Sequence, residues 1–484
     1  MTPSVTELFM VQISGAIMLW VLFFRPLEVP FGIKLISVIA YVTVPVFFAV
    51  KGTQSAVYLS DLALPFLLIA LLSRGKVPEI FSNHVFVWLM MLLIILPIVF
   101  GLTYMSGDDG ASGFGARDVK GDLIWLYRNA TYLLLFGYAL TARLTVEQFI
   151  GFIKINIVLA LILALMGLLN YFGPLNLAFF DQLNNQQAFK EDYGASRIGT
   201  GFMGLFRGSI GQWFASVVVL SVGAYSSLSS LYRKIAIIVV ILGVGMILLS
   251  YSRAGLVGAC LGLALLGLFG SGFKQRFTAL IGIGAVTGWI IWQSGEVLRR
   301  VSTIYTGESE AGGRIGAWDR TIHYFENNQD AFLLGVGPTN REAVAHIAGT
   351  YGAHNEYLDV VFRFGITGLI VLLLVLTLIA LNILRHRRLV VGTAALLLNT
   401  VFAVFLINCV IGITQNHLMQ DYSNYTMGYF LYLFYGLALG VRWQDSYPVE
   451  KVDDSITRIC DVRSVQPQAR GFGLPGIPEA SRHV

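Results

Sequence analysis

In the stretch AHNEYLDVVFRFGITGLIVLLLV, from Ala353 to Val375, a histidine, an asparagine and two acids stand directly before a run of hydrocarbon. His354 admits two readings. With an ordinary pKa of about 6.5, an imidazole can take a proton from a hydroxyl at ambient pH; it can equally satisfy a hydrogen bond at an apolar boundary. Residue type alone leaves both open. Arginines are the other chemically pointed group, because their planar, permanently charged fork makes paired hydrogen bonds to phosphate. Arg253, in SYSRAG, separates two apolar runs where an unpaired charge is costly, unless it snorkels to the interface. Arg207 stands just before the apolar run that begins at Ser209. Arg314 precedes Trp318 in a polar segment, where pairing within the loop competes with ligand binding. Arg128, Arg299, Arg300, Arg320 and Arg341 read as loop or interface charges.

The element that must carry His354 is legible in the spacing. Tyr357, Leu358, Val361 and Phe362 share one helical face with His354, while Asn355, Asp359 and Arg363 recur on the other. Asp359 can pair with Arg363 one turn on. Gly365 is placed to end the helix before ITG turns the chain into the next run. The expectation is a short amphipathic helix lying along a membrane face, followed by a crossing helix.

The rest of the chain supplies the membrane. Of 484 residues 56% are hydrophobic and 13% charged, with a mean hydropathy of +0.71; a soluble protein would carry roughly a quarter charged residues. Apolar runs fall near 8–24, 31–50, 56–73, 85–103, 123–141, 150–172, 209–227, 234–251, 254–270, 278–293, 366–384, 389–411 and 424–440. Most are long enough for a bilayer core of about 30 Å. The expected fold is therefore an all-α polytopic integral membrane protein with about 12–13 transmembrane helices. MTPSVTE lacks the basic flank and cleavage site of a signal peptide, so the first run is expected to be retained. Cys260, Cys409 and Cys460 are too dispersed to suggest a disulfide framework.

Basic residues set the orientation. Arg74, Lys76, Arg143, Arg233, Lys234, Lys274, Arg276, Arg385, Arg387 and Arg388 occupy tight connections that fall on one side if the runs alternate. Positive-inside logic makes that side cytoplasmic. Connections 104–122, 173–208, 294–365 and 412–423 then lie outside, and the tail from 441 lies inside. With six basic and six acidic residues and four prolines, that tail reads as disordered. The expected organisation is 1–293 as N-terminal membrane helices, 294–365 as a large extracytoplasmic loop bearing His354, 366–440 as C-terminal membrane helices, and 441–484 as a cytoplasmic extension.

Three stretches resemble one family. His354 and Asn355, followed nine residues later by Gly365 and then Gly368, look like the His-(Asn/Ser/Gln)-x9-Gly-x-x-Gly pattern of the O-antigen ligase and Wzy polymerase superfamily. LLSYSRAGLVGACLGLAL (248–265) is similar to its Ser-Arg-(Ala/Gly) element. GGRIGAWDRTIHYFENNQDAFLLGVGP (312–338) resembles its Arg-x-x-x-Trp stretch and Gly-x-Gly turn. The resemblance implies a GT-C-like enzyme that transfers glycan from undecaprenyl diphosphate to an acceptor hydroxyl on the extracytoplasmic face of the bacterial inner membrane. It implies His354 as the catalytic residue and Arg253, Arg207 and Arg314 on the diphosphate, with Asn355, Gly365, Gly368 and Trp318 as supporting motif positions. FRGSIGQW matches the family only approximately at Arg207.

Partners implied are the lipid-linked glycan, a glycan or lipid A-core acceptor, membrane lipids and other polysaccharide-assembly proteins, with no nucleic acid. No cofactor or metal is expected: Asp108 and Asp109 lack Asp-x-Asp spacing, and His323, His346 and His354 are far apart in sequence. GVGPTN (335–340) lacks the strand–helix context of a dinucleotide loop. Small residues at Gly255, Gly258 and Gly262 suit close helix packing. His417 reads as a solvated loop residue, and the aromatics of 294–365 as loop core more than sugar platform. The competing class is a transporter or flippase for a lipid-linked oligosaccharide, which would place ionisable groups near mid-membrane; a protein O-glycosyltransferase of the same superfamily is a further alternative. Polar features clustered at the outer ends of the apolar runs favour the transferase.

Overall fold

The computed structural model describes residues 29–41, 45–47, 57–58, 63–73, 75–99, 119–172, 207–250, 252–269, 284, 310–337, 355–414 and 425–443. The chain divides into two units, Met1–Ser446 and Tyr447–Val484, and every described residue belongs to the first. In order these residues form α1 (Phe31–Tyr41), the strands β1 (Pro45–Phe47) and β2 (Val57–Tyr58), α2 (Ala63–Ser73), α3 (Val77–Phe81), α4 (His84–Met90), α5 (Val119–Thr141), α6 (Val146–Tyr171), α7 (Arg207–Gly223), α8 (Ser230–Leu249), α9 (Arg253–Phe269), α10 (Glu310–Asn327), α11 (Gln329–Leu334), α12 (Glu356–Leu389), α13 (Gly392–Ile411) and α14 (Tyr425–Gly440).

Among the described residues, stretches of α6, α8, α12 and α13 are long and apolar enough to cross a membrane, and α4 with its extension, α7, α9 and α14 are shorter apolar helices. The protein is a helical membrane protein. Its outward-facing surface agrees, since Ile237, Ile238 and Ile241 on α8 and Ile370 and Leu373 on α12 are exposed, as lipid-facing side chains would be. Local chemistry starts the helices cleanly. At α6, Thr145 Oγ1 accepts from Gln148 N (3.3 Å) while Gln148 Oε1 accepts from Thr145 N (3.1 Å), a reciprocal N-terminal box.

Part of two expected crossings differs. Among the described residues of the runs 31–50 and 56–73, an 11-residue helix lies in each, and β1 pairs antiparallel with β2 between the two helices, where membrane helix was expected. The physical reason is local: VTVPVF is β-branched and carries Pro45, which supplies no N–H to a helix, so hydrophobicity there does not mean helix. The runs 8–24 and 278–293 lie outside the described residues, apart from Gly284.

The bundle has two distinct ends. At one, Lys76 Nζ and Arg143 Nε both reach Glu79, at 2.9 and 2.8 Å. Arg143, in the turn between α5 and α6, has a φ of +48°, a left-handed backbone held by this ion pair. The Lys76 hydrogen bond, opposed by partial burial and helped by Arg143, holds the Glu79 carboxyl below its ordinary value of 4.5. Residues 441–443 dock at the same end, where Arg442 N donates to the Leu144 carbonyl and Trp443 packs on Phe149. Arg233 caps the carbonyls of Tyr225 and Ser226, and Arg387 bonds Asn399. Because α6 meets α8 near the start of each (Lys154 over Tyr232), the described connections bearing Lys76, Arg143 and Arg233 share one end.

Candidate active site

The opposite end gathers the helix termini that carry the expected site residues. Arg207 is the first residue of α7 and Arg253 the first of α9. A Cβ on Gly255 would stand 2.5 Å from the Gly211 carbonyl, so the first turns of α7 and α9 touch backbone to backbone. Gly211 in turn packs on Ser250 and Ser252, which bring the end of α8 to the same place. The backbones of Arg207 and Arg253 are thereby set at neighbouring helix starts. Their side chains, and that of Arg314 in α10, lie outside the described residues.

The motif helix α12 begins beside them. Asn355 is its N-cap, with Oδ1 accepting from Tyr357 N (3.0 Å) and Leu358 N (3.1 Å). Glu356 N donates to the Gly412 carbonyl at 2.7 Å, and the Tyr357 hydroxyl to the Cys409 carbonyl at 2.8 Å. These two bonds clamp the start of α12 to the end of α13. Ile411, also at that end, packs on Gly258 of α9. His354 itself lies outside the described residues; its sequence neighbour Asn355 is 8% exposed.

The Gly365 terminator is found. Its φ of +64° and ψ of −168° break α12 into a short leading helix and a long trailing one. Glycine is required twice over, for the left-handed φ and because a Cβ would overlap the Leu333 carbonyl at the end of α11. The Gly-x-Gly turn docks on this break: Val336 N donates to the Phe362 carbonyl (2.7 Å) and Gly337 N to the Arg363 carbonyl (3.2 Å). Two of the three sequence motifs are thus joined through backbone. Those two N–H groups are committed to carbonyls, not presented to a phosphate. Gly368 is buried one turn past Phe364, and Trp318 is half-buried on α10. Tyr324, Phe325, Val361 and Phe362 form a small core with Val336, so these aromatics serve packing.

One expectation is overturned. The leading half of α12 does not lie along a surface with a polar face outward. Glu356 is 0% and Asp359 2% exposed, and Val360 to Phe362 and Phe364 are buried as well. α10 and α11 cover one side; the bundle covers the other, with Trp125 of α5 against Phe364 and beneath the Arg363 guanidinium, both at 5.9 Å. The spacing was amphipathic because the polar side faces an internal ion pair, Arg363 Nε to Asp359 Oδ2 at 2.6 Å. Periodicity marks two chemically different faces without saying which meets solvent.

Arg128 is a second correction. It sits inside α5 and is 2% exposed, a buried cation and not a loop charge. The signal was present in LIWLYRNATY: a charge within an apolar helix is expensive and functional by default. Asn129 and Gln212 are both fully buried and leave no signal in the charge pattern, because amides do not register as charge.

Residues 238–373 match a family model described as O-antigen ligase, a span that holds Arg253, Arg314, Trp318, His354, Asn355, Gly365 and Gly368 and leaves Arg207 outside. No curated protein matches the chain. The match falls on the segment whose motifs the structure interlocks, and it supports polysaccharide ligation or polymerisation in general terms. By that agreement residues 238–373 carry the features of an O-antigen ligase domain, which supports the O-antigen ligase and Wzy polymerase superfamily for this segment of the chain.

Proposed function

We propose that the protein is a glycosyltransferase that polymerises or ligates undecaprenyl-diphosphate-linked glycan, working at the extracytoplasmic face of the bacterial inner membrane. The observation that carries this reading is the contact between the helix starts headed by Arg207 and Arg253, together with the tie of the Asn355-capped helix start to the end of α13, which itself packs on α9, at the end of the bundle away from the basic connections. In this reading segment 294–365 is extracytoplasmic and 441–484 cytoplasmic.

His354 takes the proton from the acceptor hydroxyl. The acceptor oxygen bonds to the anomeric carbon, the bond from that carbon to the diphosphate oxygen breaks, and the diphosphate leaves with the electron pair on its lipid. Arg253 and Arg207 hold the diphosphate before and after, with Arg314 assisting; a bidentate fork suits charge that grows on phosphate oxygens. The leaving diphosphate supplies the driving force. Helix termini bring their own electropositive N–H groups to the same place.

The test is transfer from a purified lipid-linked glycan by the full-length protein in proteoliposomes. His354→Ala is expected to abolish transfer while insertion and melting temperature hold. Full activity in a well-inserted His354→Ala protein removes the base assignment, and translocation without a new glycosidic bond replaces the enzyme by a transporter. A null strain separates the two transferase reactions. Loss of a polymerase leaves single repeat units on their acceptor, whereas loss of a ligase strands long polymer on the carrier lipid.

A further inference from the structure

α7 and α13 run antiparallel. Asn408 Nδ2 donates to Ser216 Oγ at 3.2 Å, and deeper in the bundle Gly223 meets the Thr400 side chain. One turn outward from the first pair, this register sets Gln212 level with Gly412, whose carbonyl holds the start of the motif helix. Gln212 also follows Gly211, the residue in backbone contact with α9 two positions past Arg253. It therefore stands between the arginine-headed helix starts and the end of α13 to which the Asn355-capped helix is tied.

The Gln212 side chain is 0% exposed, and among the described residues neither its carbonyl oxygen nor its NH2 has a hydrogen-bond partner. Its backbone carbonyl is engaged normally by Ser216 Oγ at 3.3 Å, so the open valence lies in the carboxamide alone. A buried amide with both ends unpaired is among the more costly arrangements a core can keep. Apolar residues of similar size would fill the same volume at less cost. We infer that Gln212 is a donor-binding residue whose carboxamide pairs with hydroxyls of the sugar attached to the lipid diphosphate. A carboxamide donates and accepts together, which matches a hydroxyl; phosphate oxygens only accept, and arginines already stand at both helix starts for them. A site that leaves buried polar groups unpaired until its ligand arrives discriminates strongly for that ligand.

This assignment rests on the lipid-linked glycan being the donor, and the experiment separates the two claims. The full-length protein in detergent is titrated with an undecaprenyl-diphosphate-linked glycan repeat, and separately with undecaprenyl diphosphate lacking sugar. Gln212→Leu is expected to raise the Kd for the glycan-bearing lipid about tenfold or more, leave that for bare undecaprenyl diphosphate unchanged, and hold or raise the melting temperature. Gln212→Glu keeps the size and the acceptor but loses the donor; its expected Kd is also raised, which keeps the question open to measurement if the leucine variant does not fold. An equal loss for both lipids overturns the sugar assignment in favour of the diphosphate. Unchanged binding of both by folded variants overturns the site and assigns the amide to an enclosed water. Wild-type protein that binds the glycan lipid with the predicted Gln212 dependence but forms no glycosidic bond sinks the transferase reading and leaves the Gln212 assignment standing; wild-type protein that binds no glycan lipid sinks both.

Discussion

At Asp359 and Arg363 the chain joins two opposite charges at 2.6 Å, the carboxylate buried and the guanidinium largely so. Such a pair contributes little over an apolar replacement of both, but removing one member strands the other. Asp359→Ala is expected to cost about 3 kcal/mol, read as a loss of folded fraction in denaturant titration of the detergent-solubilised protein. A double Asp359→Leu, Arg363→Met variant is expected to recover much of that loss, since it removes both charges together. Arginine identity is a separate matter from charge. If Arg253 grips a diphosphate by its fork, Arg253→Lys keeps the charge and loses the paired bonds, so kcat/KM for transfer should fall at least tenfold with melting temperature unchanged. Equal activity in the lysine variant would reduce Arg253 to a generic interface cation.

Helix ends, more than helix bodies, build the candidate site. α7 and α9 touch through Gly211 and Gly255, α12 hangs from the end of α13 by the Glu356 and Tyr357 bonds, and α11 is pinned to the break in α12 by Gly335 to Gly337. Each junction is a close backbone approach, so a single methyl group is enough to open it. Gly255→Ala is expected to destabilise by about 1–3 kcal/mol through overpacking. Transfer should fall much further than stability, because displacing the two arginine-bearing helix starts by an ångström costs about a hundredfold in a positioned reaction. Gly365→Ala adds left-handed strain to overlap with Leu333, and a loss of about 2–4 kcal/mol is expected, checked by thermal unfolding. A Gly365→Ala protein as stable as wild type would show that the break is not set by this glycine.

Across the whole molecule the two ends do different work. The basic end is stitched by Lys76, Glu79 and Arg143, where Glu79 titrates below its ordinary 4.5 chiefly through the Lys76 bond. A carboxyl depressed in the folded state stabilises above its unfolded pKa, and that contribution disappears as pH falls through the lowered folded value. The stability difference between wild type and Glu79→Gln is accordingly expected to be constant from neutral pH down to about 5 and to vanish below. Melting temperatures of both proteins from pH 7 to pH 3 check it, and a difference that persists at pH 3 would trace to packing instead.

How this architecture was written in the chain differs from part to part. The sequence alone determined the apolar, membrane-type composition, most of the long helices, the Asp359–Arg363 pair and the Gly365 break, because hydrophobicity, period and glycine φ are local properties of a stretch. Hydrophobicity was not enough around Pro45, where strand-forming residues put a two-stranded ribbon between the described helices of two expected crossings. Only the tertiary structure decided what each polar face meets. The face of α12 bearing Asp359 looked made for water and is enclosed, Arg128 looked like a loop charge and is internal, and Gln212 carried no signal until its burial and unpaired amide were seen together. The reason is physical: periodicity records that two sides of a helix differ, whereas the free energy of a buried polar group depends on partners brought from elsewhere in the chain, and those are chosen by packing.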